Sequence, residues 1–280
     1  MATTLRFKSV STVFVLAVVL ACAGGVRAQS FAATHAKVSL LAEQNAFDPG
    51  HTAWVGVLFD LEKGWHIYWV NPGDSGEAPK FQWQLPAGFR AGEVRWPVPV
   101  RIGTGIVIDY GYEGRVLLPL PLDVPATYKA GTPVTLTAEV HYLICRDVCI
   151  PAKTQIKLTW PPPSGAGGDA ASRQNLFSAT RARWPKPLEA GSKARVSDEG
   201  KSLVLNLETG TREAQASFFP LDPDQIDNAG PQLVAASANG ARITLKKSDQ
   251  LSKPISTLRG VVVLGSDRAF EISAPVAARR

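Results

Sequence analysis

Short β-type runs, cut at close intervals by Gly, Pro and Asp, are the feature that most limits how this 280-residue chain can fold. No segment before Pro163 spaces its apolar residues about 3.6 positions apart over ten or more residues, as an amphipathic helix does. Runs of β-branched and aromatic residues bounded by turn residues predict strands instead. They lie at residues 37–41, 52–61, 66–69, 81–85, 116–120 and 134–142. The pattern is typical of an all-β, immunoglobulin-like sandwich, although it does not determine the strand order.

Two of these runs are unusually apolar. Residues 52–61, TAWVGVLFDL, are apolar at nearly every position, which predicts a strand buried on most of both faces. Residues 64–69, GWHIYW, have two interpretations, a flat aromatic platform for carbohydrate or a core strand that plugs the sandwich. We favour the core strand, because aromatic side chains suit a pleated, half-buried surface.

A composition break divides the chain. Residues 161–168, PPPSGAGG, combine stiff prolines with a loose Gly/Ser tail, as an inter-domain linker does. Ser172 is placed to cap a short helix that runs to about Arg183 and ends before Pro185. Beyond it, Asn239-Gly240 between two apolar runs is a strong hairpin signal. We therefore predict a first sandwich domain over 29–163, a linker and short helix over 164–189, and a second β-sandwich over 190–280.

Residues 1–28 have the features of an export signal. Arg6 and Lys8 precede an apolar run at 10–23, and Val26-Arg27-Ala28 places small residues at the −3 and −1 positions of a cleavage site. Cys22 raises a lipoprotein alternative, which the unsuitable Leu20 two residues before it disfavours. The apolar run is too short to span a bilayer, and no later run reaches about 18 residues. We expect an exported, soluble mature chain.

Charge and motifs exclude several functions. The chain has 30 Lys and Arg against 24 Asp and Glu without a basic run, so we expect no nucleic-acid partner. It contains no phosphate-binding loop, dinucleotide fingerprint, hydrolase nucleophile elbow or zinc-protease helix motif. We expect no cofactor.

Cys145 and Cys149, in HYLICRDVCIPAK, are the two cysteines that follow the leader. In an extended strand they would lie roughly 13 Å apart, whereas a disulfide needs Cα atoms at about 4.4–6.8 Å. A bridge therefore requires the backbone to turn through residues 146–148, at the end of a strand. An oxidising compartment permits such a bridge, and a chain of this length can bury a core without one. The pair is either a structural staple or a redox centre.

Two alternatives involve neighbouring residues. His141, Cys145 and Cys149 are spaced by four and could bind zinc or cuprous copper, but a structural zinc site wants a fourth ligand, so we expect no metal as the main role. Residues 109–114, DYGYEG, have the composition of an exposed loop. Its two tyrosines could close over a reactive site or pack at a sheet edge, and the residues alone favour neither.

Three motifs resemble one family. They are GWHIYWVNPGDSG at 64–76, RWPVPVRIGTGIVIDYGYEGRVLLPLPL at 95–122 and YLICRDVCIP at 142–151. Together they resemble the N-terminal periplasmic domain of the thiol:disulfide interchange protein DsbD, most closely its ScsB-type branch. FFPLDPDQIDNAGPQ and RAFEISAP resemble the second β-domain of that branch, so the resemblance covers most of residues 36–276.

The resemblance implies specific roles. Cys145 and Cys149 match the redox pair of the family's immunoglobulin-like domain, with Cys149 facing the partner and Cys145 resolving the mixed disulfide. Asp109, Tyr110, Tyr112 and Glu113 are the counterpart of the aromatic cap loop that shields the pair. The best-known members separate their cysteines by more than three residues, which is where this chain departs from the pattern.

The implied function is relay of reducing equivalents to oxidised thiol partners in the periplasm. Full family members continue into a membrane domain and a thioredoxin-like domain, so we expect a separate membrane electron transporter to supply this chain. It would then act as a disulfide-reductase component that needs an external donor. The alternatives are a non-catalytic binding scaffold with a structural disulfide and a copper-handling protein.

The leader gives the first testable prediction. We expect the exported protein to begin at Gln29, because Val26-Arg27-Ala28 directs cleavage after Ala28. The intact mass of protein recovered from the periplasm checks this. A diacylated species that begins at Cys22 would contradict it.

Overall fold

The computed structural model describes residues 35–103, 105–161 and 169–277, so the predicted leader and residues 162–168 of the Pro/Gly-rich stretch lie outside it. The described residues form eighteen strands and one helix, α1 (Ala170–Ala182), which confirms the all-β class. The strands are β1 (Ala36–Ala42), β2 (Thr52–Leu61), β3 (His66–Gly73), β4 (Lys80–Gln84), β5 (Arg90–Ala91), β6 (Val100–Ile102), β7 (Asp109–Glu113), β8 (Arg115–Asp123), β9 (Val134–Cys145), β10 (Cys149–Trp160), β11 (Lys186–Pro187), β12 (Lys193–Asp198), β13 (Ser202–Glu208), β14 (Ala216–Pro220), β15 (Leu233–Ser237), β16 (Gly240–Lys246), β17 (Thr257–Leu264) and β18 (Arg268–Ala277). Among these elements, no helix is both long and apolar enough to cross a membrane.

The first half is a sandwich of two sheets. One sheet has the order β1-β2-β8-β5, and the other has the order β10-β9-β3-β7-β6 with β4 also paired to β9. The inward side chains of both sheets pack into one core, because successive residues of a strand point to opposite faces. The two cysteines are among the outward-facing residues of the larger sheet.

Strand β2 is buried on both faces, as its sequence predicts. Val55, Val57 and Phe59 lie in the sandwich core, while Leu58 faces α1 on the outside of the smaller sheet. The helix begins at Ala170 because the Asp169 carboxylate caps it, accepting from the Ala171 and Ser172 N–H groups.

The second half is one eight-stranded sheet folded around its own core. Its order is β14-β17-β18-β12-β13-β16-β15, with β11 paired to β18. Strand β18 connects the β14-β17 side of this sheet to the β12-β13-β16-β15 side. It pairs with β17 over most of its length and with β12 at Val276 and Ala277. The predicted hairpin at Asn239-Gly240 is confirmed, because β15 and β16 pair with Ser237 opposite Gly240.

The two halves share contacts. Phe219 of β14 belongs to the core of the first half, where its ring meets those of Trp69 and Tyr110 edge to face at centroid distances of 6.4 and 5.4 Å. The described residues fall within one compact unit. The predicted domain boundaries stay predictions.

Packing of α1 yields a stability prediction. Phe177 is 1% exposed and lies against Leu58 and Leu117, with its ring close to Gly56. We expect Phe177→Ala to lower the free energy of unfolding by about 3 kcal/mol, because it removes a buried aromatic ring and leaves a cavity. Urea unfolding measures this. Ser178→Ala, at an exposed position of the same helix, is the control and should change stability little.

Candidate functional site

The β9–β10 hairpin brings the two cysteines together. Strand β9 ends at Cys145, β10 begins at Cys149, and residues 146–148 make the turn that the sequence requires. Cys145 and Cys149 stand opposite each other in register and form a disulfide, with their Cα atoms 4.1 Å apart. Pairing continues for the whole length of both strands, which fixes the position of the bridge at the tip.

The two sulfurs have different environments. Cys145 is 1% exposed, whereas Cys149 is an exposed residue. Its neighbour Val148, at the tip of the turn, is 63% exposed. A partner molecule can therefore reach Cys149 but not Cys145.

Tyr68 contacts both sulfurs. Its hydroxyl donates to Cys145 Sγ at 2.9 Å and lies 3.3 Å from Cys149 Sγ. The side chain stands on the outer face of β3 and is nevertheless fully buried. This burial raises the pKa of Tyr68, so the hydroxyl stays a proton donor at neutral pH.

His66 and Asp109 lie behind the disulfide. His66 pairs with Cys145 across β3 and β9, is 5% exposed, and places Nε2 3.9 Å from the Asp109 carboxylate. Among the described residues this nitrogen has no hydrogen-bond partner. Burial lowers the pKa of His66 and raises that of Asp109, because a low-dielectric environment disfavours both charged forms. Neutral imidazole is therefore favoured beside the sulfur.

Residues 73–76, here called the cover segment, lie over Tyr68. A Cβ at Gly76 would stand 2.0 Å from Tyr68 Cζ, so only glycine lets the backbone pass this close to the ring. Ser75 donates through its backbone N–H and its hydroxyl to the Asp109 carboxylate, at 2.9–3.0 Å. The cover segment explains why an outward-facing tyrosine is buried.

The prediction of an exposed loop at residues 109–114 is wrong for most of its length. Residues 109–113 form β7, and Tyr110 and Tyr112 are buried on its core side, where their hydroxyls donate to Asn228 Oδ1 and to the Pro97 carbonyl. The strand requires glycine at position 111, because a Cβ there would lie 2.2 Å from the Ile67 carbonyl oxygen. The described hydrogen bonds and ring contacts of the two tyrosines do not involve the disulfide.

Asp109 and Glu113 lie on the other side of β7. Asp109 joins the site through His66 and Ser75, as described above. Glu113 is exposed and stands opposite His66 in the register of β3 and β7. Two of the four predicted cap residues thus face the side of the sheet that carries the cysteines.

The residues proposed for metal binding do not converge. His141 lies on the same face as Cys145 but four residues back along β9, where Nε2 contacts the Glu139 carboxylate at 2.6 Å. Lys153 also contacts Glu139, and these two partners hold the pKa of that carboxyl below its usual value. In the described part of the chain, no three His, Cys, Asp or Glu residues are grouped as a metal site.

The aromatic run at 64–69 serves both the core and the site. Trp65, Ile67 and Trp69 pack in the core, as the favoured interpretation predicts. His66 and Tyr68 alternate with them and belong to the disulfide site, which neither interpretation included. The alternation of side chains along a strand indicates this second role, because every second residue of GWHIYW must face away from the core.

Part of the chain matches a known protein family, and most of it matches a solved structure. Residues 37–161 match the family model described as "Thiol:disulfide interchange protein DsbD, N-terminal". No curated protein sequence matches significantly. The crystal structure of the N-terminal periplasmic domain of ScsB from Proteus mirabilis is 19% identical, with a TM-score of 0.67 over 87% of this chain and 94% of that one. The periplasmic chaperone SfaE is 10% identical over 87% of this chain and all of its own, with a TM-score of only 0.22.

The Tyr68 hydroxyl is open to a direct test. The Tyr68 hydroxyl donates to a sulfur of the disulfide, and a thiolate in that place would accept a stronger, charge-assisted bond. We therefore expect Tyr68→Phe to shift the thiol–disulfide equilibrium with glutathione toward the disulfide by about tenfold, because the variant removes a donor that favours the reduced form. Tyr142→Phe is the control, since its ring packs on Phe59 in the core. Equal equilibria for the two variants would contradict a role of this hydroxyl.

Proposed function

Because residues 37–161 form a DsbD N-terminal domain, we propose that this protein exchanges disulfides with periplasmic partner proteins and passes them reducing equivalents through Cys145 and Cys149. The observation that carries the proposal is the asymmetry of the pair: Cys149 is an exposed residue at a hairpin tip, whereas Cys145 is 1% exposed and its sulfur accepts from the Tyr68 hydroxyl.

The exposed sulfur performs the first step. In the reduced protein the Cys149 thiolate attacks one sulfur of a partner disulfide, a new S–S bond joins Cys149 to the partner, and the partner's second sulfur leaves as a thiolate that takes up a proton. The exposed Val148 lies beside the attacking residue and offers an apolar contact to an incoming surface.

The buried sulfur completes the exchange. Cys145, once deprotonated, attacks Cys149 Sγ, the partner sulfur leaves as a thiolate, and the Cys145–Cys149 disulfide forms. The partner has then gained two electrons and this protein has lost them. The Tyr68 hydroxyl, which donates to Cys145 Sγ in the disulfide, supports this step, because a donor at that position favours the thiolate over the thiol once the pair is reduced.

A further reductant has to restore the pair. One pair of cysteines delivers two electrons and is then oxidised, so every turnover needs a donor. We infer that a separate membrane electron transporter is this donor, as the resemblance to the DsbD family implies. The leader-like residues 1–28 and the match to the periplasmic domain of another protein support action in the periplasm.

Single-cysteine variants test the proposal. We expect Cys145→Ala to accumulate a mixed disulfide at Cys149, both with oxidised glutathione and with proteins of a periplasmic extract, because the resolving sulfur is missing. Cys149→Ala should form far less adduct, since Cys145 is 1% exposed. Non-reducing electrophoresis and mass spectrometry measure both.

A structural staple would behave differently. Either variant would then lower stability to a similar extent, about 2–4 kcal/mol, without a specific adduct. The wild-type disulfide would also have a reduction potential below about −300 mV. Those results would replace the redox proposal with a binding scaffold that carries an inert bridge.

A further inference from the structure

The cover segment is held from within the first half. Asp74 exchanges hydrogen bonds with Ile108, accepting from the Ile108 N–H at 2.7 Å and donating its own N–H to the Ile108 carbonyl at 3.0 Å. Ser75 is bonded to Asp109, as described above. These contacts leave one Asp74 carboxylate oxygen, Oδ1, for another partner.

That partner comes from the second half of the chain. Asn228 Nδ2 donates to Asp74 Oδ1 at 2.8 Å across 154 residues of sequence. Asn228 Oδ1 accepts from the Tyr110 hydroxyl at 2.9 Å. Because an ionised carboxylate can only accept, the side-chain amide has to present its nitrogen to Asp74. Asn228 is 8% exposed, so both bonds are largely shielded from water.

A second bond reaches the same segment from the second half. Asn71, which is 2% exposed, donates through Nδ2 to the Pro220 carbonyl at 2.8 Å. Its Oδ1 accepts from the N–H of Gly73, the first residue of the cover segment, at 3.1 Å. Residues of the second half therefore hold the cover segment at two points.

We propose that Asn228 is a positioning residue for the redox centre: by holding Asp74, it keeps the cover segment pressed on Tyr68 and Cys145 shielded. This inference rests on the proposed disulfide exchange, and it gives a residue of the second half a positioning role in the redox site. The chain of contacts runs from Asn228 to Asp74, through the backbone to Gly76, from Gly76 to the Tyr68 ring, and from the Tyr68 hydroxyl to Cys145 Sγ.

Release of the cover segment should affect the two cysteines differently. Tyr68 occupies the space beside Cys145 Sγ, and a ring that is no longer pressed by Gly76 can move away from that sulfur. Cys149 is already exposed, so its access to solvent does not depend on the cover segment. The ratio of the two reactivities therefore reports on the cover segment and not on general unfolding.

Asn228→Asp is the sharpest variant for this purpose. It keeps an acceptor for the Tyr110 hydroxyl but replaces the donor to Asp74 with a carboxylate oxygen, so that two carboxylates face each other. The double variant D74N/N228D exchanges the two side chains and restores a donor–acceptor pair, while the amide introduced by D74N still offers an oxygen to the Ile108 N–H. Asn206→Asp, at an exposed position of β13, is the matched control.

The experiment measures alkylation of each cysteine in the reduced full-length mature chain by iodoacetamide, with site-resolved mass spectrometry. We expect N228D to react about tenfold faster at Cys145, because loss of a hydrogen bond to a charged group changes an opening equilibrium by an order of magnitude or more. The rate at Cys149 should change much less, because this residue is already exposed, although the Tyr68 hydroxyl also lies 3.3 Å from its sulfur. The double variant and Asn206→Asp should both match the wild type.

Three results would overturn the proposal. The first is an unchanged Cys145 rate in a folded N228D protein. The second is an equal rise at both cysteines, and the third is a rise that the double variant does not reverse, since each of these two indicates general loosening. If N228D does not fold, Asn228→Ser, which is neutral and too short to reach Asp74, replaces it with the same expectation. Alkylation requires no partner protein. An unchanged alkylation rate would therefore overturn the role of Asn228 and leave the proposed disulfide exchange standing. Failure to trap a mixed disulfide would not decide the role of Asn228.

Discussion

The register between β9 and β10 is the constraint on which the site depends. It places Cys149 opposite Cys145 at the hairpin tip and, through the same alternation, puts Ile144 and Tyr142 into the core. A slip of one residue would exchange the two faces and send a cysteine into the sandwich in place of an apolar side chain. The apolar face of β9 thus selects the pairing that the chemistry requires.

The same alternation creates the polar side of the site. In β3, the residues between the core aromatics are His66 and Tyr68, and both lie against the disulfide on the outer face. A tyrosine on the outer face of a sheet would normally be exposed to solvent. Here the glycine backbone at position 76 shields it, and the hydroxyl keeps a sulfur as its partner. Burial, more than any neighbouring charge, therefore keeps the Tyr68 hydroxyl and the His66 ring beside the disulfide in their neutral forms.

Sequence patterns were sufficient where the determinants are local. The continuous apolar run of β2, the turn at Asn239-Gly240 and the turn between the cysteines all follow from neighbouring residues. Residues 109–113 form a strand where the composition of residues 109–114 predicts an exposed loop, because Gly111 lets the Ile67 carbonyl of the adjacent strand approach closely. The contacts of Tyr68 and Asn228 join residues 77 and 154 positions apart, and no periodicity within a strand reports such distances.

The length of chain between Asp74 and Asn228 has a consequence for the order of events during biosynthesis. Chains are made from the N-terminus, and N-terminal domains tend to fold first. Both cysteines and all of β3 precede Asn228 in the sequence, so a chain that emerges N-terminus first into an oxidising compartment can form and oxidise the hairpin before the distant amide arrives. With Asn228 holding the cover segment as proposed above, Cys145 is less protected during that interval than in the finished protein, and the interval ends only when the second half has folded.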